Sequence, residues 1–291
     1  MATLTNILVP VVFSARCEDA TRYAAALACR FHCDLTLLHV FVTVWAAYAA
    51  PEGYATPPQF ELESSLKRIR AQLDEFLCDE LRGLSVRREI YDGDPAQAIA
   101  EFAKTEKCGL IVMPTHGYGP FRRFLLGSVT AKVLHDACCP VFTGPHLEHP
   151  PALGSPCFRK ILCAVDLGPQ SRAVLEWAAG FAAEFAAELT VVHALPGAPT
   201  SSGGVYYDPQ WRTDLARDAR CRIDALQDEL HVKGDIWIES GDVPAVVRGT
   251  AESAAADLLV IGRGHAHGLL GRLRTNAYAI LRESPCPVVA I

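Results

Sequence analysis

The sequence predicts two copies of one α/β domain, each a parallel sheet with helices on both faces. Three observations carry this. Short apolar runs, long enough for buried strands, alternate with helical stretches along the chain. The order of these runs restarts at Ile161. Both halves also place a glycine-containing loop between an apolar run and a helix, as strand-to-helix connections in parallel sheets do.

Ile7-Leu8-Val9-Pro10-Val11-Val12 reads as the first strand, and a helix follows from about Cys17 to Phe31, centred on the strong helix formers Ala24 to Ala28. Leu35 to Phe41 is a second buried strand, and residues 42 to 58, with Pro51, Gly53, Pro57 and Pro58, read as loop. From Phe60 to Leu81 apolar residues recur mostly three and four apart, one face of a long amphipathic helix. Val86 to Tyr91 gives a third strand, Asp92-Gly93-Asp94-Pro95 a turn and helix start, and Ala96 to Phe102 a third helix. Leu110 to Met113 is the fourth strand, Gly127-Ser128 opens a fourth helix, and Cys139 to Phe142 is the fifth strand.

Residues 146–159 have linker composition and separate a domain at 1–145 from a second at 160–291. The second half then answers the first. Ile161 to Asp166 matches Ile7 to Val12, and Leu189 to Leu195 with His193 matches Leu35 to Phe41 with His39. Trp211 to Leu230 repeats the long helix, and Ser240-Gly241-Asp242 matches Asp92-Gly93-Asp94. Asp257 to Gly262 matches Gly109 to Pro114, and Cys286 to Val289 matches Cys139 to Phe142.

Half of the 291 residues are hydrophobic and 21% are charged, a globular composition. The net charge of -6 gives no basic surface for nucleic acid. No apolar run is long enough to span a membrane, and Met1 to Asn6 runs straight into strand-like residues, which predicts no signal peptide. The eleven cysteines are odd in number and form no Cys-x-x-Cys. These features predict a cytoplasmic protein whose cysteines act as small apolar residues, the adjacent Cys138 and Cys139 included.

The chemistry concentrates at residues 112–130. The strand ends at Pro114, Gly117 and Gly119 supply turn chemistry, and a helix opens at Gly127-Ser128. The first turn of such a helix holds unpaired N–H groups at the positive end of its dipole, an anion seat suited to phosphate. Many α/β loops of this kind hold no ligand, so the loop alone decides nothing.

The order of elements, with Met113-Pro114-Thr115-His116-Gly117, nine residues and Gly127-Ser128, resembles the universal stress protein family, whose nucleotide signature is Gly-x-x-Gly, nine residues, then Gly and Ser or Thr. The resemblance covers nearly the whole chain, twice. It implies two flavodoxin-like domains of the adenine nucleotide alpha hydrolase-like type, each an open five-stranded parallel sheet, associating through their last strands. It also implies ATP, with or without Mg2+, at the carboxyl ends of the strands.

Carried over by position, the resemblance implies phosphate contacts from Gly117, Gly127, Ser128, Val129 and Thr130, with Met113 ending the strand beneath. Pro114 stands at the family's first glycine. Val12 stands where the family commonly has an aspartate near the adenosine, and Val40 where a residue packs on the adenine. Repeat 2 departs in the opposite sense. Asp166 and Ala194 fill the nucleoside positions and Gly262-Arg263-Gly264 opens the loop, but Thr275-Asn276, or Arg274-Thr275 in the other register, replaces the later Gly-Ser. Repeat 1 is therefore the expected ATP site, and repeat 2 an altered or empty one.

Arg122, Arg123, Arg263, Arg272 and Arg274 are candidates to clamp phosphate, beside the plainer reading as solvated loop charges. His265 and His267 with Cys286 have poor metal spacing, and His39 and His193 suit packing or hydrogen bonding. No Gly-x-Ser-x-Gly, His-Glu-x-x-His or Walker Gly-Lys-Ser/Thr is present, and the second loop's third glycine falls one residue late, at Gly268. The resulting expectation is an ATP-binding stress-response sensor or regulator with no committed catalytic step, able to form a further homodimer with itself and to bind protein partners the sequence does not name. A nucleotide-free interaction scaffold and a slow ATP hydrolase are the rival readings.

Overall fold

A computed structural model describes residues 4–42, 59–115, 126–144, 147, 151, 158–196, 209–263 and 272–291. The first repeat runs β1 (Asn6–Pro10), α1 (Ala15–Phe31), β2 (Asp34–Phe41), α2 (Gln59–Glu75), β3 (Val86–Asp92), α3 (Pro95–Thr105), β4 (Leu110–Val112), α4 (Ser128–Asp136) and β5 (Val141–Thr143). The second runs β6 (Lys160–Ala164), α5 (Ser171–Phe185), β7 (Glu188–Leu195), α6 (Pro209–Leu230), β8 (Asp235–Ser240), α7 (Val243–Ala254), β9 (Leu258–Ile261), α8 (Arg272–Glu283) and β10 (Val288–Ala290).

Local chemistry sets many of these boundaries. Ser14 caps α1 by accepting from the Cys17 N–H, and His32 ends it with a left-handed φ of 52°. Asp94 and Asp242 cap α3 and α7 in the same way, accepting from Gln97 and Ala245, with a proline in the first turn of each helix. The apolar face expected to reach Leu81 outruns its helix. Leu77 adopts a φ of 51°, which a right-handed helix cannot continue, and Leu81 is buried instead through a turn bonded to the Leu77 carbonyl. β5 and β10 begin two residues later than expected because Pro140 and Pro287 have no N–H for the ladder; their carbonyls accept from Ile111 and Leu259.

All strand pairs within each repeat are parallel, in the order β3-β2-β1-β4-β5 and its counterpart β8-β7-β6-β9-β10. The two five-stranded halves do not stay separate. β5 and β10 pair antiparallel, Phe142 opposite Val289, and close the halves into one ten-stranded sheet. The last strands thus cover each other, as expected. Gly144, at a φ of 150°, lies where a Cβ would come within 3.3 Å of the Pro287 Cα, so the chains cross closely here.

The apolar core follows the sheet's two faces. One layer joins Val9, Leu27, Leu37, Leu73 and Phe142 to Cys163, Leu175, Val191 and Val289; the other joins Leu8, Phe102, Ile111 and Val141 to Leu162, Val247, Leu259 and Val288. Both layers cross the seam. On the first face Phe31 packs against Phe181 and Phe185, Phe158 at the end of the linker stretch is 2% exposed among them, and Arg30 pairs with Glu184. On the second, the Tyr278 hydroxyl of α8 donates to the Ala131 carbonyl of α4.

Candidate functional site

Parallel strands bring their carboxyl ends to one side of each half-sheet, and most expected site residues lie there. In repeat 1, Val12 sits two residues past β1, Val40 near the end of β2 and buried Met113 just past β4, where its N–H donates to Phe142. The start of α4 is pinned to this edge. The Gly127 N–H donates to the Thr115 carbonyl at 2.8 Å, and the buried Thr130 hydroxyl donates to the Pro114 carbonyl at 3.1 Å. Thr130 is thereby a strut between helix and strand.

Gly127 is the N-cap of α4, with extended backbone and no side-chain cap bond. No side chain of the cap competes for the first-turn N–H groups, and Ser128 is exposed while Val129 packs partly into the core. A helix start of this kind leaves its first-turn amides without a side-chain partner from the cap residue. Gly117, Arg122 and Arg123 lie outside the described residues. At the carboxyl ends of β1 and β2, Phe13 stacks on the His39 ring at 4.8 Å. His39 Nδ1 donates to the Val11 carbonyl, and His193 Nδ1 donates to Val165 in the same way, the hydrogen-bonding role their matched positions suggested. Burial lowers the His39 pKa, and the bond to Val11 opposes the shift.

Repeat 2 builds a different end of a site. Asp166 stands where Val12 does, and its Oδ1 accepts from the Gly168 N–H at 2.8 Å and the Ser171 hydroxyl at 3.0 Å. A cavity of about 390 Å3 opens beside it, within the range of small-molecule sites. Its walls include Asp166, Gln170, Ser171, His193, Ala194 and Gly262, with Val243 and Val247 of α7 and Asn276 of α8. Asp166 and Gly262 are thus brought together as the sequence implied. Gln170 and Ser171 were not singled out, although they follow Asp166 within a helical turn where repeat 1 has Arg16 and Cys17.

The second loop's arginine is not the solvated loop charge of the plainer reading. Arg263 is largely buried and donates to the carbonyls of Leu134, Ala137 and Cys139, at 3.3, 2.7 and 3.3 Å, across the seam at the end of α4. It caps a helix of the other repeat and is held away from any phosphate in its own. Its burial lowers the guanidinium pKa from the ordinary arginine value. The side chains of Arg272 and Arg274, and His265 and His267 altogether, lie outside the described residues. Of the adjacent cysteines, Cys139 is buried as expected, but Cys138 is exposed because it lies on the turn between α4 and β5.

Known proteins agree with this architecture. The profile of the Universal stress protein family matches residues 3–143 and again 158–291. A universal stress protein of Mycobacterium tuberculosis is 25% identical over 98% of this chain and 96% of its own. The universal stress protein A homolog 1 of Coxiella burnetii is 33% identical over 46% of this chain and 96% of its own. Among solved structures, a universal stress protein from Archaeoglobus fulgidus superposes with a TM-score of 0.68 at 21% identity, over 99% of this chain and 96% of that one, a likeness of fold. The profile's match to both halves, and the strand order those halves share, place this chain in the universal stress protein family.

Proposed function

We propose that this chain is a cytoplasmic ATP-binding regulator, with the triphosphate seated at the start of α4 in repeat 1 and no committed catalytic step. The carrying observation is the uncapped Gly127 start of α4, locked to the exit of β4 by Gly127 and Thr130. A side chain at position 127 would stand between the helix amides and an approaching phosphate. Val12 supplies no carboxylate for the ribose, so affinity rests on the phosphate end. The ten described cysteines are all free thiols, which supports a reducing compartment.

Calorimetry with ATP, with and without Mg2+, tests this on the wild type and on Gly127→Val. The expected result is binding to the wild type and a loss of about tenfold or more in the variant, the scale of losing charge-assisted hydrogen bonds. Wild type that binds no nucleotide refutes the reading and favours a scaffold. Phosphate release above the background of the Gly127→Val variant would instead make the protein a slow hydrolase.

A further inference from the structure

Three cysteines of repeat 1 meet at the amino ends of β4 and β5, across the sheet from the helix start at Gly127. Cys108 lies between α3 and β4, where its N–H donates to the Ala103 carbonyl at 2.9 Å. Cys138 and Cys139 lie on the turn between α4 and β5. Cys108 and Cys139 are buried in the same core layer, whereas Cys138 is exposed. Burial pushes the Cys108 and Cys139 thiols up to about 11 and about 12, and both feel the charge of Cys138 as well.

The sheet sets which two can join. Ile111 stands opposite Val141 and Val112 opposite Phe142, and the Ile111 N–H donates to the Pro140 carbonyl at 2.9 Å. Continued back three residues along both chains, this register brings Cys108 opposite Cys138. Neighbouring parallel chains run about 4.8 Å apart, within the roughly 4.4–6.8 Å between Cα atoms that a disulfide spans. Cys138 and Cys139 fall short of it, because consecutive Cα atoms across a trans peptide are about 3.8 Å apart.

The buried member is also positioned. Asn6 Oδ1 accepts from the Thr36 hydroxyl at 3.0 Å, which turns Asn6 Nδ2 to donate to Cys108 Sγ at 3.4 Å. An N–H aimed at sulfur favours the negative charge that develops there when the thiol reacts. Repeat 2 keeps none of this. Lys160, Ala256 and Pro285 stand where repeat 1 has Asn6, Cys108 and Cys138.

The exposed member has an approach. Cys138 opens onto a groove of about 560 Å3 between α3 and α4, lined also by Asp94, Glu101, Lys104, Lys132 and Asp136. Lys132 pairs with Asp94 at 3.5 Å, and both stay largely in solvent. Charges of both signs around one thiol suit a small zwitterion. From the core side Arg263 brackets the same turn, donating to the Ala137 and Cys139 carbonyls at 2.7 and 3.3 Å. Positive charge beside a thiol favours the thiolate, which is the nucleophile in disulfide exchange.

We propose that Cys138 and Cys108 form a thiol-modification site, which a small zwitterionic disulfide of the glutathione class converts to a protein disulfide. The Cys138 thiolate attacks one sulfur of the small disulfide, forming a mixed disulfide and releasing one small thiolate. The Cys108 thiolate then attacks the Cys138 sulfur, closing the Cys108–Cys138 bond and releasing the second small thiolate. Two protein thiols are oxidised, one small disulfide is reduced, and the two protein protons pass to the two released thiolates. The site lies at the opposite end of the strands from the proposed ATP seat and does not depend on it.

The test is incubation of the reduced full-length protein with glutathione disulfide, quenching by alkylation and peptide mapping by mass spectrometry. Wild type is expected to form the Cys108–Cys138 bond, reversed by dithiothreitol. Cys138→Ser is expected to slow oxidation of buried Cys108 at least about tenfold, because the reagent no longer has an exposed thiol to enter by. Cys108→Ser should instead trap glutathione on Cys138 as the mixed disulfide that wild type resolves. Cys139→Ser should form the bond as wild type does. Cys138 is exposed, so its serine variant should melt like the wild type, which a thermal scan verifies. A Cys138–Cys139 bond overturns the proposal, as does a lasting mixed disulfide on wild-type Cys138 with Cys108 still reduced. So does a Cys138 that stays reduced, whether or not the exposed Cys78 and Cys221 are modified.

Discussion

Arg263 shows how one side chain can be misread from its neighbours in sequence. Its place after Gly262 suited a solvated loop charge or a phosphate clamp, but its guanidinium satisfies three main-chain acceptors in the other repeat. Arg263→Met should therefore destabilise the fold by about 2–3 kcal/mol, the penalty for buried acceptors deprived of charged donors, as measured by urea denaturation. Its effect on ATP affinity should be small by comparison. His39 gives a second prediction at this scale. Burial holds its folded pKa below the ordinary value of 6.5, so the unfolded chain takes up the proton first as pH falls. The stability tied to the neutral ring is complete above that value and declines as pH drops below it. The urea midpoint should fall between pH 7 and pH 5, and fall less in His39→Gln. An equal fall in the two proteins would show that other groups carry the pH response.

At the scale of elements, the repeated caps are the best test of equivalence. Asp94 and Asp242 make the same bond at the same place, so Asp94→Ala and Asp242→Ala should each cost about 1 kcal/mol in denaturant unfolding. Elements like these were legible in the sequence because their causes are local: an aspartate before a proline, an alanine-rich helix centre, an apolar run of strand length. What escaped has non-local causes. The stop of α2 at Glu75 depends on the backbone of Leu77, which nothing in its apolar spacing announces. α8 opens at Arg272, one residue after Gly271 and ahead of the Thr275-Asn276 pair that the motif count aligned with the later Gly-Ser. The candidate site divided likewise. Asp166, Gly262 and the Gly127 helix start could be placed by motif, whereas Gln170 acquires meaning only once a cavity is seen to leave its oxygen unpaired.

The whole molecule depends on its seam. Pairing of β5 with β10, the cluster around Phe31, Phe158, Phe181 and Phe185, and the bonds from Arg263 and Tyr278 span both faces of the sheet. A fragment ending at Gly144 would expose the β5 edge and the aromatic face together. It should run as a dimer or larger species in sedimentation, and a stable monomer would show that the seam is dispensable. Phe158→Ala should destabilise by about 3–5 kcal/mol, the usual loss for a buried phenylalanine, and lower a single unfolding transition rather than split it.

Joining the halves in one polypeptide has a genetic consequence that Arg263 makes visible. In an assembly of two identical chains every substitution appears twice, so a gain on one side of a symmetry axis must be tolerated on the other. Here Thr115 occupies the position that answers Arg263. The arginine spans the axis in one direction, while the Thr115 carbonyl accepts from the Gly127 N–H within its own repeat. Fusion lets mutation act on one half at a time, and the carboxyl-end faces of the two half-sheets can diverge without either sacrificing the contact that holds the halves together.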